Sequence, residues 1–401
     1  MNLFVVPRCV FAIGLGMLAP RLAPAATPTA EVALGFDHFY NLEFDEAIAV
    51  FRKLTVQFPN DATIWNHLAE AILYREMLRA GALETELVSG GNAFLRRDKM
   101  NPSAADQAEF DGAIDRSIAI ARRVLNRSPD NQQALYAIGV AYSLRANYNF
   151  VVRKAWIDAL RDATAARNYH NRLSELNPQD TDARLSQGAY DYVAGSLPWT
   201  YRILGFLAGY HGDRERGIRT IESVYKHGAA NRTEAAVLLA TIYRRERRPA
   251  TAVPLLEDLI ARYPRNYLFR FELAQMYSDL GNKQKALQAV AEVERIKRSG
   301  YAGYSHLTDE KILYYRATIE FWYNELDAAR RNFEAVTAKA GELDPNSGVT
   351  AWLRLGQVYD LLGDRSRALA AYRQAIAYAP GSYRAKEAED YLRKPYERRK
   401  S

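Results

Sequence analysis

One spacing of small, aromatic and proline residues recurs along this chain and limits its fold more than any other feature. Over residues 350–380 the order is Trp352, Leu355, Gly356, Tyr359, Gly363, Ala368, Tyr372, Ala375 and Pro380. Over 34–59 the equivalent places hold Leu34, Gly35, Ala47, Phe51, Leu54 and Pro59. Over 239–264 they hold Leu239, Ala240, Tyr243, Ala252, Leu256, Leu259 and Pro264, and over 273–290 Leu273, Ala274, Tyr277, Gly281 and Ala286. Two short antiparallel helices lie close only where small residues such as Gly356 and Ala368 face each other, with Tyr359 and Tyr372 filling the space beside them. Pro380 ends the second helix, because proline has no amide hydrogen and its ring clashes one turn back. One such pair cannot bury its apolar faces alone, so the pairs must stack.

These segments resemble the tetratricopeptide repeat family. The resemblance implies an all-α, right-handed α-solenoid of about seven to nine stacked antiparallel helix pairs with irregular insertions, over residues 27–394. Weaker first helices fall at 62–79 (Trp65, Leu68, Ala69), 132–147 (Leu135, Ile138, Gly139, Tyr142) and 308–323 (Ala317), and weaker repeat ends at Pro129 and Pro178. Residues 382–394 are polar with a helical pattern, as a terminal cap should be. Three places break the period. Gly81, Gly90, Gly91, Asn101 and Pro102 mark a long loop insertion over 81–102. Residues 148–177 have the pattern of one overlong helix. Residues 188–217 form a non-repeat apolar segment, and the basic tail 395–401 is expected to fray.

The N-terminus has the form of a secretory signal peptide over residues 1–26. Arg8 precedes the uncharged run Cys9–Ala19, and Ala23 and Ala25 give the small-residue spacing for cleavage after Ala25 or Ala26. That run is too short to span a bilayer. Cleavage removes Arg8, Arg21 and no acidic residue, which lowers the formal net charge from +7 to +5. It also removes Cys9, the single cysteine, so the mature chain can form neither a disulfide nor a thiolate metal site. These features place the protein outside the cytoplasm, in a bacterial periplasm or cell envelope, with secretion the other destination. With 48% hydrophobic and 25% charged residues the chain is neither wholly disordered nor a polytopic membrane protein.

No catalytic, cofactor or metal motif is present. The six histidines (His38, His67, His170, His211, His227, His306) form no H-E-x-x-H motif and no close pair. Gly195-Ser196 is followed by Leu197-Pro198, which is not a nucleophile elbow, and no phosphate-binding loop occurs. Arg244, Arg245, Arg247 and Arg248 read as favourable charge at a helix C-terminus, with an anion or acidic-peptide contact as the alternative. An enzyme would need a buried carboxylate pair brought together in space, which sequence cannot display.

The repeat family binds partners along the first helices of its pairs. Carried over by alignment, the binding groove would be lined by Phe36, Phe39, Tyr136, Val140, Thr241, Arg244, Phe271, Gln275, Leu353 and Gln357. This set lacks the lysine, asparagine and arginine clamp of chaperone-binding members. The expected function is an exported, non-enzymatic scaffold for a protein or peptide partner, not for nucleic acid. A second reading uses residues 195–210. There Leu197, Pro198, Trp199, Arg202 and Phe206 would meet a hydrophobic ligand or a membrane surface, with Trp199 at headgroup level and Arg202 snorkelling. The Leu-Pro…Gly-Asp-Arg…Gly order across 188–220 resembles tetratricopeptide-39-type proteins, which implies a non-enzymatic, lipid-associated role.

Overall fold

The computed structural model describes residues 29–84, 99–196 and 212–398. Among them are seventeen α-helices and no strand. The first nine are α1 (Thr29–Tyr40), α2 (Phe44–Gln57), α3 (Ala62–Arg79), α4 (Ala104–Arg127), α5 (Gln132–Tyr148), α6 (Trp156–Leu176), α7 (Leu185–Gly195), α8 (Arg214–His227) and α9 (Arg232–Arg245). The rest are α10 (Pro249–Arg262), α11 (Tyr267–Asp279), α12 (Lys283–Arg298), α13 (Asp309–Trp322), α14 (Leu326–Ala338), α15 (Pro345–Leu361), α16 (Arg365–Tyr378) and α17 (Tyr383–Arg393). Among the described residues α1 packs with α2, α5 with α6, α7 with α8, α11 with α12, α13 with α14 and α15 with α16, and α17 caps α15 and α16.

Four pairs, α1 with α2, α11 with α12, α13 with α14 and α15 with α16, reverse direction through the same tight turn. Leu42, Gly281, Asn324 and Gly363 adopt left-handed backbone, and the residue after each donates its N–H five residues back, to His38, Tyr277, Glu320 and Tyr359. This is the Schellman closure, which satisfies carbonyls that the helix end leaves open. Glycine enters that conformation freely and asparagine, as at Asn324, readily; Leu42 is held there at a cost of about 1–2 kcal/mol. Within a pair the helices nearly touch. A Cβ on Gly356 would stand 2.4 Å from the Tyr372 ring, and one on Gly217 would stand 2.4 Å from the Tyr192 backbone nitrogen.

The described chain divides into two compact units, one of residues 29–76 and 99–247, the other of 77–84 and 248–398. In the first unit the expected overlong helix over 148–177 is broken. Its start ends α5, a π-helical turn covers Asn149–Arg153, and Lys154 turns left-handed before α6 begins. The break follows from Asp162, a buried carboxylate on α6 that takes two hydrogen bonds from Arg145 (2.9 and 2.7 Å) and one from the Asn149 side chain (3.0 Å). Gathering both donors onto one carboxylate folds the chain back on itself.

In the second unit the helices α10 to α17 pack in sequence order. The tail does not fray as expected, at least through Arg398. Tyr396 donates its backbone N–H to Asp360 Oδ2 at 2.8 Å, and Arg398 reaches the backbone carbonyls of Phe321 and Trp322. No helix among the described residues is long and apolar enough to cross a membrane.

Candidate binding face

The buried small residues Gly35, Ala69, Gly139, Gly188, Ala240, Ala274, Ala317 and Gly356 mark one register across the eight first helices. Calling that place eight, the alignment-derived groove residues fall at places five, nine and twelve. The structure sets seven of the ten inside: Phe36, Phe39, Val140, Phe271, Gln275, Leu353 and Gln357 are buried. Several of these places fill the seam between one first helix and the next. Phe36 meets the His67 ring edge-on at 4.7 Å, and Phe271 stacks on Tyr315 at 3.9 Å. Tyr136, Thr241 and Arg244 remain partly exposed. On α9, Val237 (37% exposed), Thr241 and Arg244 follow at spacings of four and three, so they share one stripe of the helix. The Tyr136 hydroxyl is directed at Asn231 Oδ1 (3.5 Å), and burial pushes its pKa far up. Asn231 is itself locked. The Asp182 carboxylate accepts the backbone N–H groups of Ala229, Ala230 and Asn231, which fixes the start of α9.

The alignment passed over the most unusual residues of this face. Asn66 and Glu70 stand at places five and nine of α3, and His67 lies between them; all three are almost wholly buried. Asn66 donates to the Ala137 carbonyl at 2.8 Å, which ties α3 to α5, but its own oxygen has no hydrogen-bond partner. Glu70 Oε2 and His67 Nδ1 have none either. Burial alone pushes the Glu70 carboxyl up to about 8 and the His67 imidazole down to about 3. At neutral pH both are therefore uncharged. Gln275, at place nine of α11, repeats the pattern with an unpartnered side-chain nitrogen. The signal was in the sequence: two polar residues, Asn66 and Glu70, occupy the register places held by Tyr136 and Val140 in the next pair.

The second unit holds a buried ionic cluster. Lys311 donates to Glu84, to Asp344 Oδ2 at 2.6 Å and to Ser347 Oγ at 2.5 Å, which uses all three of its protons. Tyr315 donates to Glu84 Oε2 at 2.6 Å, and Asp344 Oδ1 accepts the Ser347 N–H at 3.0 Å, capping α15. Burial pushes Glu84 up to about 7 against the pull of Lys311, whereas at Asp344 burial is overcome by the Lys311 charge together with hydrogen bonds from Lys311 and Ser347, and its pKa is lowered. Two buried carboxylates with opposed shifts are what a hidden hydrolase would require. Here all four carboxylate oxygens are taken by protein donors, so the cluster pins residues 81–84 to α13 and α15 and presents no open base. Among the described residues no three His, Cys, Asp or Glu side chains gather as a metal site. Leu197, Pro198, Trp199, Arg202 and Phe206 lie outside the described residues, as does the leader 1–26.

A search of curated proteins gives no match. Among solved structures, yeast Tom70 is similar at 12% identity, covering 91% of this chain and 88% of its own, with a TM-score of 0.40. A human IFIT1 dimer with PPP-AAAA is similar at 15% identity, covering 91% and 84%, with a TM-score of 0.44. A tetratricopeptide repeat protein from Parabacteroides merdae is similar at 12% identity, covering 77% and 91%, with a TM-score of 0.32. Two tetratricopeptide repeat family models match the chain, one over 32–76 and 237–301 and the other over 349–382. Those segments are α1 to α3, α9 to α12 and α15 with α16, the helices built on the recurring spacing, and they are tetratricopeptide repeats.

Proposed function

We propose that this protein is an exported, non-enzymatic scaffold that binds a protein or peptide partner along the first helices of its pairs. The observation that carries the reading is the placing of unpartnered hydrogen-bonding atoms. Asn66 Oδ1, Glu70 Oε2 and Gln275 Nε2 are buried, lack a protein partner and stand at places five or nine of a first helix. Buried polar atoms are nearly always paired, and leaving one unpaired costs about 1–3 kcal/mol. A peptide's backbone N–H and C=O groups can supply what Asn66 and Glu70 lack in the first unit, and what Gln275 lacks in the second. Tyr136, Thr241 and Arg244 give the first unit's face a partly exposed border. Without the carboxylate clamp of chaperone-binding members, the face suits an internal segment of the partner better than a free C-terminus. Export rests on residues 1–26, and a bacterial envelope is the compartment that a cysteine-free mature chain fits.

The test is capture from detergent-solubilised envelope of the source organism, with residues 27–401 as bait. One stoichiometric protein, lost when Tyr136→Ala and Arg244→Glu are combined in a chain that melts normally, supports the reading. Nuclease-sensitive material or lipid alone overturns it. Sequencing of the exported chain should begin at Ala26 or Thr27; a retained Met1 removes the export part.

A further inference from the structure

The last three described residues of the chain behave as a bound peptide. Helix α17 ends at Arg393, Lys394 is extended (φ −131°, ψ 129°), and Pro395 prevents the helix from continuing. Tyr396, Glu397 and Arg398 then run back over the ends of α13 and α15. Three contacts hold them, and each is of a kind that a free peptide could make. The Tyr396 N–H donates to Asp360 Oδ2, on a carboxylate that also takes Arg365 at 2.9 Å and the Tyr372 hydroxyl at 2.7 Å. The Tyr396 ring meets Tyr391 edge-on at 5.3 Å and tilts against Phe321 at 6.2 Å. The Arg398 guanidinium donates to the carbonyls of Phe321 and Trp322, which close α13, and lies 5.0 Å over the Phe321 ring.

Those carbonyls are the open acceptors and the negative pole of a helix C-terminus, and the aromatic face adds a second attraction for the same cation. Glu397, between the two anchors, is exposed. Phe321 and Asp360 stand at place twelve of the last two first helices, the register held by Phe39 and Arg244 in the earlier pairs. Trp322, half exposed and stacked under Arg354 at 4.8 Å, lies beside the seat of Arg398.

We propose that the first-helix face of the last two pairs is a peptide site filled by the chain's own Tyr396–Arg398, and that its ligands are extended segments with an aromatic residue two places before an arginine. This rests on reading the first-helix face as the binding face. The tail is then a tethered competitor. A link of a few residues sets its effective concentration at roughly millimolar, so a partner segment must exceed that to enter.

The experiment uses the full mature chain and a fluorescein-labelled peptide of residues 393–401. Tyr396→Ala combined with Arg398→Ala releases the resident tail. Anisotropy should show this variant binding the peptide about tenfold or more tighter than the wild type, because the competitor is gone. A peptide with alanine at both anchor positions should not bind. A folded double variant that binds no better than the wild type overturns the proposal. If the double variant does not fold, the wild type decides: excess peptide must speed deuterium exchange at the Tyr396 amide, and unchanged protection overturns the proposal. Tyr136→Ala with Arg244→Glu should leave peptide binding intact, so failure of partner capture and failure of this site give different results.

Discussion

Glu70 carries a measurable signature of its surroundings. It is 2% exposed, one of its oxygens has no partner, and burial alone raises its pKa from 4.5 to about 8. The folded chain therefore keeps a proton that the unfolded chain releases above 4.5. Stability falls as the pH climbs between those two values, and the slope is about 1.4 kcal/mol for each pH unit. Over the whole window this gives about 5 kcal/mol as an upper figure, and about 3 kcal/mol by pH 7. Glu70→Gln keeps the shape and removes the proton. The variant should match the wild type near pH 4.5 and exceed it progressively up to pH 8. Deuterium exchange on peptides of α3, corrected for the intrinsic pH dependence of exchange, reads the difference where it arises. A gap between variant and wild type that is the same at pH 5 and pH 8 would refute the reasoning.

Other perturbations follow from the same packing. Lys311→Met strands two buried carboxylates and should cost about 3–5 kcal/mol, seen as a lower melting midpoint. Adding Glu84→Gln and Asp344→Asn should recover most of that loss, and no recovery would mean that Lys311 acts through packing alone. Gly217→Ala puts a Cβ 2.4 Å from the Tyr192 nitrogen and 2.6 Å from the Gly188 oxygen, both backbone atoms. It should lower stability by about 1–3 kcal/mol in urea titration, since α7 and α8 must move apart. His67 is held neutral by burial, its pKa down to about 3. The unfolded chain takes up a proton below about 6.5 that the folded chain refuses, so stability falls as the pH drops. His67→Gln should flatten that acid limb in melts between pH 4 and 7, and an unchanged limb would move its cause elsewhere.

The helix pairs were legible because their spacing is a steric requirement. Gly356 sits against the Tyr372 ring with no room for a methyl group, so a small residue there announces the crossing. The helix expected over 62–79 covers the residues of α3 for the same reason. The break after Tyr148 was not legible, since it depends on Asp162 gathering Arg145 and Asn149 across the turn. Asp162 in sequence is one more helix acid. The docked tail was hidden in the same way: Lys394 and Arg398 look like solvated charge until Asp360 and the carbonyls ending α13 are placed beside them. Of the face itself, register fixed which side of each helix is involved but not how deeply each residue is sunk. Depth depends on how closely neighbouring first helices approach, and aromatic contacts such as Phe271 on Tyr315 draw that seam closed.

Asp360 and Glu70 show what such a face asks of a partner. Both are buried carboxyl groups on first helices, at places twelve and nine. Asp360 is met by an arginine, a tyrosine hydroxyl and a backbone N–H, and the last of these comes from the tail. Glu70 is met by none of these, and its raised pKa keeps it protonated at neutral pH. A protonated carboxyl donates where a carboxylate can only accept. A peptide at Asp360 is thus held by its N–H, while one at Glu70 would be held by a carbonyl oxygen. Both matches are to backbone groups, which favours a partner segment that presents bare backbone at either unit.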